Sequence, residues 1–347
     1  MKMMLERSEW ETSFGGVFRD VEQIFLLGGC DATCINFLGK TFSERFPQQH
    51  RELTGIQQAF AEHGHKVDIE FLAAMQYFYE IGHARPPIHL NENEKETQQH
   101  PLHGCTSVVV RSATGNIFHG RNLDFHCAAY RNITAHVVWT KTKAKAVMFE
   151  TTQFMGEDVG VATGVRAGGF SFSYNWRSAK DPLKGVLSCI GDTRSAAPFG
   201  SYVRELFERG ATFAEAAEAI EHARLCGPAY VIVAGPAGTS GVVFTKNYTA
   251  SLHPNWLQQQ QEEGQWFVAQ ANYDHWVPQP AQDDRLGLAT RALLAAGQAV
   301  AATSKGVWNV LSTPGNATTR GVLNKDTLYT SVMNPETGSF IDAIRIL

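Results

Sequence analysis

The polar stretch formed by residues 83–104 divides this 347-residue sequence into two parts of different character. Within it, the ten residues from Asn91 to His100 include no apolar side chain, and Pro86 and Pro87 disfavour a helix. Because such a segment cannot bury enough apolar area to join a core, we predict an exposed loop here. This loop therefore connects two parts of the fold, residues 1–82 and residues 105–347.

The part before the loop has a helical pattern. Apolar residues recur at spacings of three and four, at Val67, Phe71, Leu72, Met75, Phe78 and Tyr79. This periodicity predicts one buried helix that ends near Ile81. We expect residues 1–104 to form a mainly helical segment that ends in the loop.

Strand patterns dominate from Cys105 onward. Strands are predicted at 106–110, from 117, and at 136–140, 146–150, 159–165, 169–174, 230–234, 241–245, 266–269, 328–333 and 340–346. Helices are predicted at 202–209, from Thr212 with Glu215 at capping-box spacing, and at 286–302 behind Asp283 and Asp284. This order favours the α+β class, with helices on the outer faces of antiparallel sheets.

Composition argues against several function classes. The net charge of −4 and the absence of a basic block argue against nucleic acid as a partner. Apolar runs such as 229–234 fall far short of the roughly 20 residues that a spanning helix needs, so no transmembrane segment is expected. Charges within residues 1–11 interrupt any signal-peptide core, so no secretory signal is expected in the sequence as given.

Cys105 lies where the polar loop ends and a buried strand begins. Cleavage of the preceding peptide bond would give it a free α-amino group, with a pKa of about 8, beside its thiol. Nucleophile and general base would then belong to one residue. Taken alone, Cys105 is more simply explained as an ordinary buried cysteine on a strand.

Two motifs around the hairpin favour a catalytic role for Cys105 over that of an ordinary buried cysteine. Cys105-Thr106-Ser107 is followed by the run from His119 to Phe125, which reads His-Gly-Arg-Asn-Leu-Asp-Phe. The two motifs together resemble the acid ceramidase and N-acylethanolamine acid amidase family, N-terminal nucleophile hydrolases related to the choloylglycine hydrolases. The resemblance covers nearly all of 105–347 and, more weakly, 46–81. It continues through 164–177, 227–230, 272–276, 283–285, 322–325 and 327–330.

The resemblance implies a fold and a maturation step. The fold would be the four-layer αββα sandwich of N-terminal nucleophile hydrolases over 105–347, preceded by the mainly helical segment 1–104. Self-cleavage between Gly104 and Cys105 would give an α/β heterodimer from one precursor. No cofactor and no metal are implied.

The resemblance also implies roles for individual residues. Catalytic roles fall to Cys105, Arg121, Asp124, Asn272 and Arg285, and substrate contacts to Tyr174, Asn175 and Trp176. A carboxylate can orient an α-amino group, and a guanidinium favours a thiolate. An amide can donate to an oxyanion without bringing a charge.

The chain also departs from the family pattern. Trp176 stands where relatives carry a glutamate, and Leu286 stands where they carry a second arginine. About twenty extra polar residues precede Cys105. The family's cysteine near the C-terminus has no counterpart after Cys226, so we do not expect Cys30 or Cys34 to link two subunits by a disulfide.

The expected activity is hydrolysis of fatty N-acyl amides, of the ceramide or N-acylethanolamine type, at a membrane or micelle surface and through a thioester. One alternative is an acyltransferase with the same nucleophile, and another is a non-catalytic lipid-binding relative. A metal site at His100, His103 and Cys105, joined by His126 and Cys127, is a third. The family implies a lysosomal or secreted protein, whereas the sequence as given leaves a cytoplasmic location open.

Overall fold

The structure is a computed structural model that describes residues 7–81, 103–125, 127–141, 146–179, 181–193, 197–248, 250–257, 266–280, 283–316 and 319–346. Most of the loop predicted over 83–104 lies outside the described residues, as do His100 and His126 of the metal alternative. Within the described ranges, no helix combines the length and the apolarity needed to cross a bilayer.

Two antiparallel sheets form the centre of the fold. The strands are β1 (His103–Arg111), β2 (Ile117–Phe125), β3 (Thr134–Thr140), β4 (Val147–Phe154), β5 (Thr163–Val165), β6 (Ser171–Trp176), β7 (Ala229–Ala234), β8 (Gly241–Asn247), β9 (Ala250–Trp256), β10 (Phe267–Gln270), β11 (Thr327–Asn334) and β12 (Ser339–Ile344). The small sheet has the order β10-β1-β2-β11-β12, and the large sheet runs from β3 to β9 in sequence order. The hairpin predicted after Cys105 is β1–β2.

Thirteen helices are described. They are α1 (Arg7–Trp10), α2 (Phe14–Leu27), α3 (Ala32–Arg45), α4 (Pro47–Glu62), α5 (Ile69–Met75), α6 (Phe78–Ile81), α7 (Tyr130–Ile133), α8 (Pro182–Thr193), α9 (Phe199–Glu208), α10 (Phe213–His222), α11 (Arg285–Ala296), α12 (Gln298–Ala301) and α13 (Ser304–Leu311). The capping box that opens α10 has both of its reciprocal hydrogen bonds. The helix predicted over 286–302 is divided into α11 and α12 at Gly297, whose φ of 71° suits glycine.

The two sheets pack face to face, and helices cover their outer faces. Val109 and Ile117 of the small sheet pack against Ile232 and Val243 of the large sheet. Apolar side chains of α11 to α13 pack on the outer face of the small sheet, and those of α9 and α10 pack on the large sheet. The predicted α+β sandwich with four layers, αββα, is thereby confirmed.

The N-terminal segment is mainly helical, as predicted, but the single helix expected up to Ile81 is wrong. It is interrupted between α5 and α6, where the backbone N–H groups of Gln76 and Tyr77 bond to carbonyls three residues back. Gln76 Nε2 donates to the carbonyl of Glu157 at 2.6 Å, and its Oε1 accepts from the backbone N–H of Val159 at 3.1 Å. These hydrogen bonds fasten the turn between α5 and α6 to the segment at 157–159.

A disulfide joins Cys30 and Cys34 to each other at the start of α3. Asp31, between them, caps this helix by accepting from the backbone N–H of Cys34. The bond therefore lies wholly within the N-terminal segment.

Candidate active site

The alternation of side chains along β1 and β2 decides what surrounds Cys105. Cys105 pairs with Leu123 in register, and successive side chains point to opposite faces of the sheet. Cys105 and Arg121 therefore face the large sheet, while Gly104 and Asp124 face the other way. The candidate site therefore includes residues on both faces of the small sheet, at the start of β1.

The thiol of Cys105 lies beside a buried guanidinium. Arg121 Nη2 is 3.3 Å from Cys105 Sγ and 2.9 Å from the carbonyl of Tyr174. Arg121 Nη1 donates to Thr163 Oγ1 and to the Tyr329 hydroxyl, at 2.5 and 2.8 Å. Arg121 is fully buried, and no carboxylate of the described residues forms a salt bridge with it. The sulfur is thus one group near Arg121 that can carry a compensating charge.

Electrostatics keep Arg121 charged. Burial lowers the pKa of its guanidinium, but the neighbouring Tyr329 and Cys105 outweigh burial, so that the pKa is raised. Burial, and then the Cys105 sulfur, raise the pKa of Tyr79 well above its usual value. Tyr79 therefore stays a neutral phenol.

Asn272 and Arg285 hold the backbone of Cys105 by hydrogen bonds. Its N–H donates to Asn272 Oδ1 at 2.7 Å, and its carbonyl accepts from Arg285 Nη1 at 2.9 Å. Arg285 Nη2 also donates to Asn272 Oδ1 at 2.9 Å, which fixes which end of the amide faces Cys105. The Asn272 Nδ2 group donates to the carbonyl of Trp176 at 2.9 Å.

Asp124 lies in a network of donors on the Gly104 side. Its Oδ2 accepts from Asn324 Nδ2 at 2.9 Å and lies 3.3 Å from Arg285 and 3.4 Å from Arg320. Its Oδ1 accepts from Thr327 Oγ1 at 2.8 Å. The carboxylate is fully surrounded by donors and charges, which explains how it can be buried.

Gly104 fits closely against this network. A Cβ at Gly104 would lie 2.9 Å from Arg285 Nη1, 3.0 Å from Arg320 Nη2 and 3.1 Å from Asp124 Oδ2. A side chain at this position would displace the charged groups. The residue that precedes Cys105 therefore has to be a glycine or force the network to move.

The other residues of the His-Gly-Arg-Asn-Leu-Asp-Phe run hold β2 in place. His119 lies between the hydroxyls of Ser171 and Ser173, at 3.0 and 2.9 Å. Burial, and then Arg121, lower the pKa of His119 to about 3, so this histidine is neutral. The added Cβ of a residue at Gly120 would lie 2.3 Å from Val307 of α13, so glycine allows this helix to approach.

Comparison with known proteins bears on this arrangement. No family model matches the chain. It is 33% identical over 239 residues to an N-acylethanolamine-hydrolyzing acid amidase of Caenorhabditis elegans, covering 67% of this chain and 61% of that protein. It is 30% identical over 254 residues to human acid ceramidase, covering 70% of this chain and 62% of that protein. A solved structure of the C. elegans N-acylethanolamine-hydrolyzing acid amidase ortholog matches with a TM-score of 0.57 and 30% identity, over 67% of this chain and 93% of that one.

The chain belongs to the acid ceramidase and N-acylethanolamine acid amidase family. The matched part spans about three fifths of the length of the two curated relatives. Five residues that the family resemblance singles out, Cys105, Arg121, Asp124, Asn272 and Arg285, lie together at the end of β1.

The three residues singled out for substrate contact are placed differently from one another. The Asn175 side chain accepts from Ser107 Oγ and donates to the carbonyl of Gln270, both at 2.9 Å, so it joins the two sheets. Tyr174 and Trp176 contact Arg121 and Asn272 through their backbone carbonyls.

Sequence reasoning assigned no role to Arg320, Asn324 or Thr327, which surround Asp124. The segments 322–325 and 327–330 already carry the family resemblance. The polar residues within these segments were the signal that could have identified two of the three. Arg320 lies before both segments.

A pocket with a cavity volume of about 60 Å³, or about 600 Å³ when all the empty space at its open mouth is counted, lies close to Cys105. Tyr174, whose carbonyl shares the Arg121 guanidinium with Cys105, and Leu123, the register partner of Cys105, both line it. Much of the remaining wall is apolar and aromatic, with Met75, Phe78, Phe125, Tyr130 and Phe154.

Three acids lie in or near this pocket. Burial raises the pKa of Glu80 to about 8 and that of Asp158 to about 6. Burial, and then the neighbouring Asp158, raise the pKa of Glu157 well above its usual value. Glu157 and Asp158 line the pocket, and Glu80 accepts from the backbone N–H of Phe199 at 2.7 Å. At acid pH these carboxyl groups are neutral.

Proposed function

We propose that this chain is a cysteine amidohydrolase of the N-terminal nucleophile type that acts on fatty N-acyl amides and matures by cleaving itself between Gly104 and Cys105. The observation that carries the proposal is the setting of Cys105: its thiol is 3.3 Å from Arg121 Nη2, and its backbone nitrogen is 2.7 Å from Asn272 Oδ1. The named activities of its relatives, on N-acylethanolamines and on ceramide, indicate the substrate class.

Self-cleavage would begin with the thiol of Cys105. Its sulfur attacks the Gly104 carbonyl carbon, the C–N bond to Cys105 breaks, and the freed amine takes a proton. The Gly104 acyl group is then a thioester on Sγ, and water hydrolyses it to a carboxylate and a free thiol. The mature protein would consist of a helical segment 1–104 and a catalytic part 105–347, held together as a heterodimer.

The hydrolysis of substrate would repeat this chemistry. Cys105 Sγ attacks the amide carbonyl while its α-amine takes the thiol proton and returns it to the leaving amine. The fatty acyl group remains as a thioester until water, deprotonated by the same α-amine, releases the fatty acid. No cofactor takes part in these steps.

The neighbouring residues would support each step. Arg121 favours the thiolate, since burial leaves its charge without a carboxylate partner among the described residues. Asn272 Oδ1 and Asp124 would orient the new amine, and Arg285 would hold the Cys105 carbonyl. The position of the Asn272 oxygen supports orientation of the amine, and the expected donation to the oxyanion would require Nδ2 to leave the Trp176 carbonyl.

The apolar pocket supports a fatty substrate. Burial of an acyl chain against Phe78, Phe125 and Phe154 contributes about 0.8 kcal/mol per CH₂ group. A lipid of this kind would be drawn from a membrane or micelle surface. The acids of the pocket are neutral at low pH, which suits an acidic compartment or secreted setting.

One experiment tests the proposal. The full chain, Cys105→Ala and Cys105→Ser are incubated at pH 4.5 and 7.5, and the intact masses are measured for fragments 1–104 and 105–347. Fatty acid release from N-palmitoylethanolamine and from a ceramide is followed in parallel. We expect cleavage and release in the wild type and neither in Cys105→Ala. Normal hydrolysis by Cys105→Ala would refute the proposal.

A matched control uses another cysteine. Cys127 donates to Asp20 at 2.8 Å, and Cys127→Ser keeps a donor at that position. This variant should cleave and hydrolyse as the wild type does.

A competing amine in the assay separates hydrolysis from acyl transfer. An uncut chain that binds lipid without turnover would identify the lipid-binding alternative.

A further inference from the structure

The pocket beside Cys105 carries two neighbouring polar groups, to which a plain hydrocarbon chain would offer no hydrogen bond. The Tyr130 hydroxyl is buried and has no hydrogen-bond partner among the described residues. Glu157, 4% exposed, lines the same pocket, and its carboxyl group lies close enough to the Tyr130 hydroxyl for the two side chains to interact. A polar group without a well-formed hydrogen bond in an apolar wall is costly, so this pair is suited to a polar ligand atom that bonds both groups.

The surroundings of Tyr130 and Glu157 separate this pair from other polar groups and favour its neutral form. The Tyr130 ring packs between Phe125 and Phe154, with ring centroids 5.0 and 4.6 Å apart. The adjacent acid, Asp158, is already paired, because it accepts from a backbone N–H at 2.6 Å. Burial raises the pKa of Tyr130 and Glu157, the latter helped by Asp158, and these effects outweigh the interaction with the Tyr130 hydroxyl, which lowers the pKa of Glu157. Both groups carry their protons, and each can donate or accept one hydrogen bond.

We propose that this pocket selects acyl chains that carry a hydroxyl group, which pairs with the Tyr130 hydroxyl and the Glu157 carboxyl. The inference rests on the proposed function in that the pocket receives the acyl chain of the substrate. A hydroxyl offers one donor and two acceptor positions and therefore satisfies both partners. A carboxylate on the chain would face Glu157 and Asp158, and an ammonium group would meet partners that are neutral.

A binding experiment tests the inference without requiring catalysis. Hexadecanoic acid and its hydroxylated isomers, with the hydroxyl at successive carbons, are titrated into the purified protein by calorimetry. We expect at least one isomer to bind about tenfold more tightly than hexadecanoic acid. Tyr130→Phe should reduce this preference to within about twofold without weakening the binding of hexadecanoic acid. Glu157→Gln, which keeps a donor and an acceptor, should retain most of the preference.

Tyr202→Phe is the matched control. Its hydroxyl donates to the carbonyl of Ala219 at 3.1 Å, so this variant loses a tyrosine hydroxyl that is already paired. It should keep the preference for the hydroxylated isomer. Equal binding of all the fatty acids to the wild type, a preference that survives Tyr130→Phe, or no binding of any of them would each overturn the inference.

A kinetic experiment separates this inference from the proposed function. The kcat/KM values for N-acylethanolamines with and without the hydroxyl should differ in the same direction as the affinities, and Tyr130→Phe should remove the difference. If the protein binds the hydroxylated acid preferentially but hydrolyses no amide, the amidase proposal fails and the pocket selectivity stands. If it hydrolyses both amides equally, the selectivity fails and the amidase proposal stands.

Discussion

Replacement of Gly104 by alanine would test whether the charged network positions the bond to be cut. The new methyl carbon would lie 2.9 to 3.1 Å from three atoms, Arg285 Nη1, Arg320 Nη2 and Asp124 Oδ2. Because favourable contacts of a carbon atom begin near 3.5 Å, these groups or the backbone have to move by about half an ångström. Arg285 Nη1 also holds the Cys105 carbonyl at 2.9 Å, so the movement reaches the nucleophile.

The expected effect is on rate more than on folding. A misplacement of about 1 Å can cost a hundredfold in rate, so we expect Gly104→Ala to cleave itself roughly ten- to a hundredfold more slowly than the wild type. Overpacking of a buried site costs about 1–3 kcal/mol, which a domain of ordinary stability tolerates. The rate constant is obtained from intact masses over time, with the thermal midpoint measured alongside.

Gly55, in the middle of α4, supplies the control. An added Cβ at Gly55 meets no atom within 4 Å, so Gly55→Ala should leave the cleavage rate unchanged and raise stability by about 0.5–1 kcal/mol. If Gly104→Ala is folded and cleaves within twofold of the wild type, the network does not position the bond and the reasoning is wrong.

Three further predictions concern other parts of the molecule. Arg121→Met should slow alkylation of Cys105 by iodoacetamide at least tenfold, with Arg121→Lys between it and the wild type, because lysine keeps the charge but not the planar fork. Since burial raises the pKa of Glu80 from 4.5 to about 8, the folded state holds a proton that the unfolded state loses. The free energy of unfolding should therefore fall between these pH values, by at most about 1.4 kcal/mol per pH unit, and Glu80→Gln should flatten the profile in pH-dependent denaturant titrations. The double variant Cys30→Ser and Cys34→Ser should cleave at the wild-type rate, since that disulfide closes only a short local loop.

The sequence predicted those features that depend on neighbours along the chain. The strands around the hairpin follow from alternation and a turn, and the capping box at Thr212 follows from two side chains three residues apart. The prediction of one helix up to Ile81 missed the turn at Gln76, a residue whose side chain pairs with residues about 80 positions away. No local pattern contains that information.

The same difference between local patterns and long-range contacts explains which features of the site could be predicted. The family resemblance drew attention to Cys105 and Arg121 through short motifs. That Asn272 faces Cys105 with its oxygen follows from Arg285 and from the pairing of β10 with β1, which no spacing in the sequence determines. The buried acids are also invisible in the sequence, since a single glutamate is most often exposed.

The segment before the proposed cleavage site shares one core with the segment after it. Phe78 and Ile81 of α6 pack in the same apolar cluster as Leu123 and Leu328 of the small sheet. Each such side chain contributes about 1.5–3 kcal/mol when fully buried, and this contribution does not depend on an intact peptide bond elsewhere. Tyr79, in the same helix, also lines the pocket beside Cys105. Cleavage after Gly104 would thus open the chain without dividing the core, and the N-terminal segment would still form one wall of the site.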